Sequence, residues 1–106
     1  MHGGKMSWLV VLTYELYNAE IQDYELVNKN LVKIGLINEI VSPGGVKSQL
    51  PLRTFAAQFS KDINNTSQDI VDYIEEKALT VLREYNLEGK IFVSVGDNWS
   101  WSESVI

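Results

Sequence analysis

The order in which apolar patterns follow one another constrains this chain more than any other feature. Trp8 to Leu16 is an apolar run of strand character, Asp23 to Ile34 carries apolar residues at helical spacing, and Ile37 to Val41 and Leu52 to Phe59 read as two strands. Ser67 to Tyr85 is a second helical stripe and Lys90 to Val95 a last strand. Alternation every two residues separates strands from helices, whose apolar positions recur every three or four. The order is therefore strand, helix, strand, strand, helix, strand.

Each segment carries signals of its own. Leu9-Val10-Val11-Leu12 is apolar on both alternating faces, as a central strand covered on both sides requires. Tyr24, Val27, Leu31 and Ile34 form one stripe that Gly35 terminates, and burying such side chains yields about 1.5–3 kcal/mol each, enough to override the poor helix propensity of Asn28 and Asn30. Thr66-Ser67-Gln68-Asp69 has the spacing of a capping box ahead of Ile70, Ile74, Ala78, Val81 and Tyr85. Phe55, Ala57 and Phe59 share the core side of their strand. The Pro- and Gly-punctuated stretch Ser42 to Pro51 reads as a mobile projecting loop. Trp99-Ser100-Trp101-Ser102 alternates with both indoles on one side.

This βαββαβ order is the split βαβ pattern of an α+β, ferredoxin-like sandwich: a four-stranded antiparallel sheet in the order four, one, three, two, with both helices on one face. At 106 residues there is room for one such domain, read here as 8–97, with an N-terminal extension over 1–7, of which Met1 to Lys5 precede an expected natural start at Met6, and a C-terminal arm over 98–106. His2, in the extension, stays outside the functional reading.

Composition narrows the chemistry. With no cysteine and one histidine, thiolate catalysis and the usual zinc sites are excluded, and neither a metal nor another cofactor is expected. A net charge of −5 is opposite to the basic footprint of a nucleic-acid binder, so RNA is not the favoured partner. No apolar run approaches the roughly 20 residues that span a bilayer, so no membrane partner is expected and the cytoplasm is the expected location.

The topology brings the end of strand one beside the starts of strands three and four, which places Glu15 near Arg53 and Lys90. A carboxylate with two cations can act as a general base beside a bound phosphate, with Glu15 catalytic and Arg53 and Lys90 binding substrate. The favoured alternative is a cross-strand charge group worth about 0.2–1 kcal/mol per pair, because acid–base work normally shows a second titratable partner. Arg53 to Phe59 partly matches the strand-three signature of RNA-recognition motifs, but Ala57 stands where a stacking aromatic is needed. On the sheet face away from the helices, Val11, Thr13, Thr54 and Ala56 are small and semi-polar. A second subunit would cover them, with Trp99 and Trp101 docking from the arm.

Leu9 to Leu16, Asp23-Tyr24, Leu31-Val32-Lys33-Ile34-Gly35 and Gln49-Leu50-Pro51 leading into Thr54-Phe55-Ala56 resemble the small ferredoxin-like group around the CRISPR-associated compact nucleases, VapD, the SinR-like proteins and the GhoS antitoxin. In several of these families strand one ends in a Tyr-Asp pair whose aspartate, doubled across a homodimer, is associated with nuclease activity. Tyr14-Glu15 matches that position with glutamate substituted. The resemblance implies a homodimer and a ribonuclease, while the substitution and the acidic balance argue against catalysis. Two readings follow: a non-catalytic dimeric protein-interaction or regulatory module, in a toxin–antitoxin or phage-defence setting, which is preferred, and an endoribonuclease using Glu15 paired across a homodimer.

Overall fold

In the computed structural model the described residues are 2–4, 7–42, 44–61, 65–97, 99–102 and 104, the side chains of 2–4, 100 and 101 excepted. The elements in chain order are β1 (His2–Gly4), β2 (Ser7–Leu16), α1 (Ile21–Ile34), β3 (Glu39–Val41), β4 (Lys47–Gln49), β5 (Thr54–Ser60), α2 (Ser67–Glu84), β6 (Gly89–Gly96) and β7 (Trp99–Trp101). The chain is a mixed α+β fold broadly consistent with the ferredoxin-like order.

β2 is central. It pairs antiparallel with β5 on one side, where Val11 faces Ala56, and with β6 on the other, where Glu15 faces Lys90. Trp8, Val10, Leu12, Tyr14 and Leu16 point to the helices and form one core with Val27 and Leu31 of α1, Phe55 of β5, and Ile70, Ile74, Ala78, Val81 and Leu82 of α2. Leu9 is buried on the other face, so the double-sided apolar run of β2 reflects cover on both sides over its first half.

The helices begin and end as their sequences dictate. Thr66 Oγ1 accepts from Asp69 N–H at 3.2 Å and Asp69 Oδ2 accepts from Thr66 N–H at 3.0 Å, a reciprocal cap with aspartate in the usual glutamate place. Asp23 Oδ2 likewise accepts from Glu20 N–H at 3.0 Å at the start of α1. Gly35 closes α1 in the left-handed region at φ 104°, where Leu36 N–H donates to Leu31 C=O.

One feature of the expected sheet is corrected. The central sheet has three strands, in the order β5-β2-β6, not four. Among the described residues, the expected second strand joins its ladder only at Ile37, which exchanges two backbone hydrogen bonds with Ala56. Beyond Ile37, the Asn38 amide donates to the carbonyls of Pro51 and Thr54 at 2.9 and 2.5 Å, and so fills the Thr54 acceptor that a continuing strand would have used. The chain turns away there, and Glu39–Val41 pairs with Lys47–Gln49.

The stretch expected to project as a loop is thus half of a hairpin. Its turn is closed by Ser42, whose N–H donates to Val46 C=O at 2.8 Å and whose Oγ accepts from Val46 N–H at 3.1 Å. The hairpin lies over the sheet face away from the helices, where Ile40 forms a second small core with Leu9 and Ala56, joined by Val11, Leu50 and Trp99. Gln58 Nε2 ties it down by donating to Val41 C=O at 2.8 Å.

The two ends of the chain also meet. His2–Gly4 and Trp99–Trp101 form an antiparallel ladder, so segments read from sequence as an extension and an arm run side by side. Met6, Asn98 and the side chain of Trp101 lie outside the described residues.

Candidate functional site

The sheet separates the three charged residues that the topology was expected to gather. Glu15 and Lys90 are directly opposite on β2 and β6 and point to the outer face, away from the helices. Arg53 precedes β5 by one residue and takes the other side: its guanidinium carbon lies 3.6 Å from the centre of the Tyr24 ring of α1. One cation therefore stands beside Glu15 on its face, and the second is across the sheet. Among the described residues the ion pairs are Lys61–Asp97, at 2.6 Å, and Arg83–Glu76, at 3.4 Å, neither of which includes Glu15. Asp97, at the far end of the sheet from Glu15, is held below the usual carboxylate range by its hydrogen bond from Lys61.

Inside, Arg53 belongs to an aromatic cluster that sequence reading did not assemble. The Tyr14 hydroxyl donates to Asn28 Oδ1 and also lies 3.4 Å from Tyr24 C=O. The Tyr24 hydroxyl reaches back to the backbone of Leu16, 3.2 Å from both its N–H and its carbonyl oxygen. The Tyr14 and Tyr24 rings are 5.9 Å apart, and Phe55 adds a third ring 6.3 Å from Tyr14. Burial pushes the Tyr14 hydroxyl up to about 12, against the lowering influence of Arg53 and with a smaller rise from Tyr24. At neutral pH this hydroxyl is a fixed donor locking α1 to β2, with no tendency to act as a base. The available signal was that Tyr14 shares parity with Leu12 and Leu16 on β2.

Outside, the sheet face is divided. At the Leu9 end the hairpin and Trp99 cover it, and Ala56 is only 2% exposed. At the Glu15 end it is open: Thr13, Glu15, Lys90, Phe92 and Ser94 are exposed, with Val11 and Thr54 half-buried between the two regions. Phe92 stands on this open half with 62% of its surface accessible, opposite Thr13. Thr13, Tyr14, Glu15, Lys90 and Phe92 line a shallow concavity of about 210 Å³. Of the residues expected to form an interface, Thr13 and Thr54 border this open region, whereas Ala56 and Trp99 are engaged by the chain's own hairpin. Phe92 went unnoticed in the sequence, although a large aromatic at an outward-facing position of β6 was the available clue.

The open half offers one apolar anchor, two hydroxyls and one charge of each sign. Among the described residues no group of three acidic or histidine side chains is placed to hold a metal ion, and no helix is long and apolar enough to cross a membrane. Comparison with known proteins finds no matching family model and no curated relative.

Proposed function

We propose that the protein is a non-catalytic interaction module that works as a homodimer in the cytoplasm and presents the open half of its outer sheet face to a protein partner. Phe92 carries this reading. A ring 62% exposed, in a surface otherwise made of threonine, serine and one opposed charge pair, is the kind of anchor on which an interface centres. The partner it fits inserts an apolar side chain beside Phe92 and sets its own charges against Glu15 and Lys90. The toxin–antitoxin or phage-defence setting comes from the sequence resemblance. The separation of Arg53 from Glu15 supports the non-catalytic choice, because of the two cations expected to hold a phosphate beside Glu15 only Lys90 shares its face.

The test is an RNA-cleavage assay with purified protein, with and without magnesium, alongside light scattering. A dimeric mass with no cleavage of single-stranded RNA above background is expected. Robust cleavage abolished by Glu15→Gln overturns the reading in favour of an endoribonuclease with paired Glu15 residues, and a monomeric mass removes its dimeric part.

A further inference from the structure

The free edge of β6 is the feature of this fold that most needs a partner. Tyr17 N–H donates to Glu88 C=O at 2.8 Å, which continues the β2–β6 ladder by one pair and fixes its alternation. In an antiparallel pair, residues that exchange hydrogen bonds alternate with residues whose backbone groups point the other way. Lys90, Phe92 and Ser94 therefore turn their N–H and C=O groups toward β2, and Ile91, Val93 and Val95 turn theirs outward. The β2–β5 ladder agrees, since Tyr14 N–H donates to Arg53 C=O at 3.3 Å and leaves the odd-numbered residues of β2 facing β6. Among the described residues β6 pairs with β2 alone.

Among the described residues nothing blunts this edge. The register runs unbroken from Leu9 opposite Gly96 to Leu16 opposite Gly89, without a bulge, and the strand contains no proline. Its one charge, Lys90, sits near one end. Such an edge is a template for another strand.

We propose that the occupant is a second copy of this chain, paired β6 to β6 in antiparallel sense about a two-fold axis passing close to Phe92 and Val93. This inference rests on the dimeric part of the proposed function and supplies its geometry. Two-fold antiparallel pairing is self-complementary, so one strand satisfies both sides. With the axis at the middle of the strand, the two Lys90 residues lie toward opposite ends and do not face each other, and the outward groups of Ile91, Val93 and Val95 all meet partners. The two three-stranded sheets become one continuous sheet. Its outer face brings the two Phe92 rings side by side at the axis, so the partner meets one double anchor in place of two separate ones.

The test combines light scattering with residue-resolved amide hydrogen exchange on the wild-type chain. The expected result is a dimer in which the Ile91, Val93 and Val95 amides are slowed to within about tenfold of the Lys90, Phe92 and Ser94 amides that bond β2. A dimer in which those three exchange as freely as loop amides overturns the edge pairing while leaving the dimeric module intact, and a monomer overturns both. The double variant Phe92→Lys/Ser94→Lys, at two exposed positions, is expected to yield a folded monomer by circular dichroism and scattering. A folded variant that remains dimeric also overturns the edge pairing.

Discussion

Arg53 and Tyr24 are stacked, with the guanidinium carbon 3.6 Å from the ring centre, although Arg53 sits in the left-handed backbone region at φ 64°. An L-residue pays about 1–2 kcal/mol for that conformation. The turn is closed by Thr54 N–H donating to Pro51 C=O at 3.0 Å, and the stack compensates on the side-chain end. Arg53→Ala keeps the strain and loses the stack, so we expect a loss of about 1–2 kcal/mol in urea unfolding. Arg53→Gly relaxes the backbone and should lose less. A glycine variant less stable than the alanine variant would contradict this balance.

Tyr14 ties stability to alkaline pH. Its hydroxyl is raised from 10.0 to about 12, chiefly by burial. The unfolded chain therefore releases this proton at lower pH than the folded chain. The contribution is complete below pH 10, declines as pH rises, and is gone above about 12. Denaturant midpoints measured across that window should fall with pH in the wild type and less steeply in Tyr14→Phe. That variant should also be less stable at neutral pH, because Asn28 Oδ1 loses its donor.

Ile40 is the keystone of the hairpin that roofs Leu9 and Ala56. Ile40→Ala should lower stability by about 2–4 kcal/mol in urea titration, at the lower end if the hairpin settles inward. The protease sensitivity of the turn around Gly45 should rise with it.

Gly89 admits no side chain. A Cβ there would run into the backbone carbonyl oxygen of Glu15 and close against Leu16, on a strand held by its ladder. Gly89→Ala should lower stability by about 1–3 kcal/mol, with the largest amide chemical-shift changes at Glu15, Leu16 and Lys90.

The helices and the three strands of the central sheet were legible because their apolar residues recur at clear periods and their caps are local signals: Thr66 with Asp69, and Gly35 after Ile34. The observed α1, Ile21–Ile34, begins two residues earlier than Asp23, the expected start. The hairpin was hidden because what turns the chain is long-range. Asn38 reaches the carbonyls of Pro51 and Thr54, and Gln58 reaches Val41, contacts that no local spacing encodes. The same holds for the expected charge group. Sheet topology alone put Arg53 beside Glu15, but the strand parity of Arg53, shared with Phe55, assigned it to the helix side.

The roof formed by β3 and β4 has a kinetic consequence. Ile40 rests on Leu9 and Ala56, which belong to two different strands, so its docking surface does not exist until β2 and β5 have paired. The hairpin can therefore dock only after those strands have paired, and it can lift without disturbing the helix-side core. In the folded chain its opening would bare Leu9 and Ala56 on the same sheet face as Phe92, extending the apolar surface toward the other end of that face.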